Sequence, residues 1–185
     1  SVIDLRQAPV ILFKIPDKEL LRTVTILKEE VARRSQISLK TSTSMASSSK
    51  AQIILLVESS VSALPDVDQK SLVDLQLAKE GYAIITVQEK VFIVGKDARG
   101  LLYGVGKFLR KAEMKPQSFQ IARDLRIVTS PQFAVRGHQL GYRAKTNSYD
   151  AFTVEQFDQH IRDLAIFGAN SIEILPPRTD DKPSS

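Results

Sequence analysis

Apolar and polar positions change period several times along the chain. PVILFKI, Pro9 to Ile15, is a short apolar run opened by a proline, which suits a first strand near a sheet edge. From Glu19 the spacing changes: Leu20, Val24, Leu27 and Val31 recur every three to four residues, and Asp17 behind Pro16 offers an N-cap, predicting a helix to about Arg34. ISLK, Ile37 to Lys40, alternates like a half-buried strand, whereas QIILLVES is a continuous apolar run, as expected of a central strand covered on both faces. GYAIITV and KVFIVG, separated by Gln88 and Glu89, predict a β-hairpin. Asp97 then begins a helix in which Leu101, Leu102, Val105, Phe108 and Leu109 form one stripe.

Between these segments the pattern weakens. TSTSMASSSK, residues 41 to 50, has Ser or Thr at seven of ten positions and reads as a flexible loop. SALPDVDQKSLVDLQLAKEG fits two descriptions: a short helix that turns Leu72 and Leu75 to a core, or a loop marked by Pro65 and its charges. SFQI and DLRIV follow as extended stretches, then TSPQ, a polar joint that places a domain boundary between residues 128 and 129. Beyond it FAVRGHQLGYR is extended. Thr153 and Gln156 have capping-box spacing, Phe157, Ile161, Leu164 and Ala165 share a helix face, and Gly168 stops the helix before the strand NSIEILPP. Strand, helix and strand in this order predict a βαβ unit with parallel strands and a right-handed crossover.

Gly100, Gly104 and Gly106 lie on the Asp97 helix, so GLLYGVG is not a nucleotide-binding loop, whose glycines belong in the turn before a helix. Close packing of that helix on a sheet accounts for them. Composition narrows the class further. Of the 185 residues 43% are hydrophobic and 25% charged, the balance of a soluble globular chain, and no apolar run approaches membrane-spanning length. The net charge of +5 and pI near 9.5 invite a nucleic-acid reading, but bases alternate with acids in KEEVARR and FLRKAEMK, and aromatics are only 6%. Neither a nucleic acid nor a membrane is expected as partner. Without cysteine there is no disulfide, thiolate metal site or Cys nucleophile. The opening SVIDL, with neither Met nor a leader, suits a processing site or a cut in a longer chain.

Glu80 to Leu109 resembles the small domain that precedes the barrel in β-N-acetylhexosaminidases, α-glucuronidases and related glycoside hydrolases. Gly81, Tyr82, Asp97, Gly100, Tyr103 and Gly104 match its strand–hairpin–helix pattern, and DLRIVTSPQFAVRG resembles the bridge into barrel strand one. An acidic residue that hexosaminidases carry shortly after the arginine is missing here. The resemblance implies an α/β (α+β two-layer) domain over residues 1–128, a mixed sheet with helices on one face. Residues 129–185 would be the first βαβ of a truncated (β/α)8 TIM barrel. It further implies the non-catalytic fragment of a secreted, periplasmic or extracellular glycoside hydrolase that meets carbohydrate through the complete barrel, with no cofactor and no metal. The alternative is a stand-alone glycan- or protein-binding module without enzymatic role.

Glycoside hydrolysis usually needs two carboxyl groups across the scissile bond. In the resembled families these stand on later barrel strands, so no catalytic residue is expected within this stretch. Arg136 corresponds to the arginine that binds sugar hydroxyls from barrel strand one; the alternative is a structural ion pair under the barrel. His138 would share its side and lie toward the mouth, as a pocket-lining or satisfied core histidine. Arg143, Asn147, Tyr149 and Asp150 belong to the first strand-to-helix loop, with Tyr149 as a stacking platform. Glu173 would face the barrel mouth, or be a carboxylate paired with an arginine, and Asp180 and Asp181 would follow in the next loop. His160 reads as a surface residue. A lone βαβ leaves strand edges unpaired, which predicts self-association or disorder from about Pro131 onward.

Overall fold

The computed structural model describes residues 1–14, 18–46, 49–140 and 152–174. The chain divides into two compact units, Ser1–Gln132 and Phe133–Ser185.

The first unit is built on a six-stranded mixed sheet. Its strands are β2 (Val10–Leu12), β3 (Thr41–Ser42), β4 (Gln52–Val57), β5 (Tyr82–Val87), β6 (Lys90–Gly95) and β9 (Arg126–Thr129), in the order β3-β2-β4-β6-β5-β9. The first four are parallel, and β5 runs antiparallel to both β6 and β9. Two long helices, α1 (Lys18–Ser35) and α3 (Ala98–Lys111), lie on one face. The N-cap expected at Asp17 falls outside the described residues. A second sheet of three antiparallel strands, β1 (Val2–Asp4), β8 (Ser118–Ala122) and β7 (Glu113–Lys115), takes the order β1-β8-β7.

The unbroken apolar run of β4 is explained by burial on both sides: Ile53, Ile54, Leu55 and Leu56 have no exposed surface. On the face away from the long helices, Ile54, Leu56, Ile85, Phe92 and Val94 pack with Leu64, Leu72, Leu75 and Leu77. Those four leucines come from the segment that read as either helix or loop. It contains a 3₁₀ turn over Glu58–Ala63 and the single helical turn α2 (Asp66–Gln69), and its leucines are buried without any repeat spacing. Burial there is set by the sheet it covers.

A buried ion pair fixes this cover. Lys90 Nζ donates to Asp68 Oδ1 and Oδ2 at 2.9 and 2.7 Å, joining α2 to the start of β6. Across the sheet, Asp97 caps α3 by accepting from Gly100 N at 2.9 Å, and its other oxygen accepts from Glu80 N at 2.9 Å. One carboxylate therefore ties the start of the helix to the start of the hairpin.

Two expectations need correction. Ile37 and Leu39 are buried as alternation predicts, but strand pairing begins only at Thr41, where the chain runs beside β2. The Ser/Thr-rich stretch is also anchored: the Gln52 amide accepts from Ala46 N at 2.7 Å and donates to the carbonyls of Ala46 and Lys50 at 3.1 and 3.2 Å.

The second unit contains β10 (Gly137–Leu140), α4 (Val154–Ile166) and β11 (Ser171–Ile174). β10 and β11 are parallel neighbours, so strand, helix and strand form the βαβ unit that the pattern predicts. α4 opens with a complete capping box, Gln156 N donating to Thr153 Oγ1 at 3.3 Å and Thr153 N to Gln156 Oε1 at 2.8 Å. Gly168 takes φ of 106°, where a side chain would be strained, and ends the helix.

Candidate functional site

The residues that carry the hairpin–helix motif turn out to be joints. A Cβ on Gly100 would stand 2.2 Å from the carbonyl oxygen of Gly81, and one on Gly104 would stand 2.9 Å from Ile93 Cγ2. Backbone and helix approach closely only because those side chains are missing. A Cβ on Gly81 would stand 2.3 Å from Ser130 Oγ, the oxygen that accepts from Ala78 N at 3.0 Å. Glu80, buried beneath this joint, accepts from Arg99 at 3.0 Å, and the pair raises the Arg99 pKa further. Burial pushes the Tyr82 phenol up as well, with Arg110 opposing.

The faces of the βαβ unit follow from its register. His138 meets the His160 ring edge to face at 5.8 Å, and Leu140 is buried, so alternate residues of β10 face α4. His138 pairs with Ile172 and Leu140 with Ile174 across the ladder. Gly137, Gln139, Ser171 and Glu173 therefore share the opposite face, with Gln139 directly beside Glu173. In a closed (β/α)8 barrel this is the face that turns inward.

The expected site residues that fall among the described ones can now be placed. Glu173 stands on the face away from α4, exposed, and makes no ion pair among the described residues. His138 faces the helix, where it joins His160, Phe152 and Phe157 in a chain of ring contacts. His160 is accordingly half-buried in this cluster rather than a surface residue.

Arg136 precedes β10 at its amino-terminal end. Its Nε donates to the Gly168 carbonyl at 2.7 Å and one terminal nitrogen to the Phe133 carbonyl at 2.8 Å. Asn170 completes the latch, accepting from Arg136 N at 2.8 Å and donating to the carbonyl of Ala134 at 2.8 Å. These contacts bind the end of α4 to the approach to β10, at the amino-terminal end of the strand, which in a closed (β/α)8 barrel would be the rim opposite the one where active sites form. Arg143, Asn147, Tyr149, Asp150, Asp180 and Asp181 lie outside the described residues.

Sequence reading missed Gln139. Alternation put Gln139 and His138 on opposite faces of the strand but did not say which of the two faces α4.

The mixed α/β sheet and the βαβ unit together share the fold of part of several glycoside hydrolases. The GH20 exo-β-N-acetylglucosaminidase of Vibrio harveyi superimposes with a TM-score of 0.66 at 20% identity, over 94% of this chain and 22% of that one. The GH20 β-N-acetylhexosaminidase of Streptomyces coelicolor A3(2) gives 0.66 at 18% identity, over 94% and 31%. A family GH115 4-O-methyl-α-glucuronidase gives 0.62 at 15% identity, over 94% and 25%. The chain thus spans between about a fifth and a third of the length of these structures. More narrowly, it belongs to the glycosyl hydrolase family 67 N-terminus family, whose profile matches residues 9–108. Among curated proteins none matches the sequence.

Proposed function

We propose that this chain is the non-catalytic amino-terminal part of a carbohydrate-active glycoside hydrolase. The α/β unit braces the enzyme and the βαβ unit supplies the first two strands of its barrel. The observation that carries this reading is the parallel β10–α4–β11 unit, with Glu173 and Gln139 side by side on the face turned from the helix. In the complete barrel that face would contribute a carboxylate and an amide to the sugar-binding floor. Glu173 would accept from, and Gln139 donate to, sugar hydroxyls.

Hydrolysis by the usual mechanism needs a second carboxyl function placed across the bond. A chain extended through the barrel strands that follow Ser185 should hydrolyse at least one glycoside in a broad panel of aryl glycosides and oligosaccharides, while residues 1–185 alone should hydrolyse none. Activity of the short chain, or silence of the long one across the panel, would sink the reading. Glu173→Gln in the longer enzyme should raise KM more than it lowers kcat, as expected of a residue that holds substrate.

A further inference from the structure

The first unit carries a second surface suited to a ligand, away from the motif joints. An open groove of about 530 Å³ lies where three connections converge: the β1–β2 turn, the exit of α1 and the β7–β8 turn. It is lined by Arg6, Gln7, Gln36, Ile37, Ser38 and Gln117, so five of the six lining side chains can hydrogen-bond. The walls are fixed. Gln117 N donates to the Ser35 carbonyl at 2.8 Å, and its side-chain amide donates to the Gln36 carbonyl at 3.4 Å, tying the hairpin turn to the end of the helix. Arg6 is held by Asp4 through both carboxylate oxygens, at 2.7 to 3.1 Å.

By contrast, the side chains of Gln7, Gln36 and Ser38 make no hydrogen bond among the described residues. Gln36 and Gln117 also stand at left-handed backbone positions, both with φ of 60°: one just past a helix end, the other second in a Pro116–Gln117 turn. Glycine is the least strained choice at both places. Left-handed residues occur elsewhere in the chain, but these two open onto one groove. There a glutamine gives up backbone ease and presents an amide.

We infer that this groove is a binding site for a neutral, hydroxyl-rich oligosaccharide, separate from the barrel. Amides and a hydroxyl offer paired donors and acceptors matched to vicinal sugar hydroxyls, and fixed walls reduce the entropy lost on binding. The one charged lining residue is matched by Asp4, which favours neutral chains over polyanions. With Ile37 the one apolar lining residue, and that one largely buried, binding is weak, with Kd on the order of 1 mM.

The test is titration of the 185-residue chain with cellohexaose, mannohexaose and hexagalacturonate, followed by the backbone and side-chain amide resonances of Gln7, Gln36 and Gln117. A neutral hexasaccharide should shift these resonances. The double variant Gln36→Gly, Gln117→Gly should weaken binding about tenfold, the loss of two amide contacts. Should that variant fail to fold, Gln7→Ala with Ser38→Ala, both at exposed positions, should weaken binding likewise. No shift with either neutral sugar, undiminished binding by the folded variants, or tighter binding of hexagalacturonate would overturn the inference. Hydrolysis is not the readout, so the outcome stands independently of the proposed barrel.

Discussion

The two units answer the same demand, burying apolar surface, to very different degrees. In the first, β4 and β6 are closed on both faces, and Phe92 and Phe108 are wholly buried. In the second, only Leu140 and Ile166 reach full burial among the described residues, while Phe133, Val135, Val154, Phe167 and Ile174 are 62% to 73% exposed. Yet its helix has the better terminal signals, a full capping box at one end and a left-handed glycine at the other. Local signals can specify where a helix begins and ends without supplying the packing that holds it, and most helical stability in proteins comes from that packing.

The contrast can be broken hardest in the first core. Phe92→Ala should cost about 4 kcal/mol, by lost transfer energy and a cavity between β4 and β5, measured as a lower denaturant midpoint. The βαβ unit should keep its amide exchange pattern; equal loss of protection in α4 would contradict the separation of units. Next in size, Asp68→Ala leaves Lys90 buried and unpaired and should cost about 3 kcal/mol, whereas Asp68→Leu with Lys90→Met should recover most of it. Recovery absent in the double variant would show that the pair contributes more than mutual compensation. Gly100→Ala forces a methyl group against the Gly81 carbonyl and should cost about 2 kcal/mol, with the hairpin and α3 losing exchange protection together. The smallest effect belongs to the second unit: Thr153→Ala removes the capping box and should cost about 1 kcal/mol, seen as faster exchange in the first turn of α4 alone.

What could be read from the sequence follows the range of the interactions concerned. The hairpin, the Asp97 cap, the capping box and the stop at Gly168 each rest on residues within a few positions of one another, and each was legible. β1 was not, because a three-residue strand has no periodicity and its partner β8 lies at the far end of the unit. The segment around Leu64, Leu72, Leu75 and Leu77 stayed ambiguous for the same reason: its burial pattern belongs to the sheet beneath it. At the candidate site Glu173 could be placed by alternation alone. The face taken by His138, and the use of Arg136 as a latch onto Gly168, required knowing where α4 packs and where it ends.

The pairing of Val2 with Ala122 has a consequence in time. A chain emerging from the ribosome presents β1 before β8, and 120 further residues must be added after Val2 before its partner Ala122 exists. At ordinary rates of synthesis that wait lasts about 6 to 24 seconds. Meanwhile the β5–β6 hairpin and α3, whose contacts are local, can form as soon as they are made. Among the described strands of this unit, β1 is made first yet is among the last to be closed, and the three-stranded sheet is the final clasp on a unit already assembled from its middle.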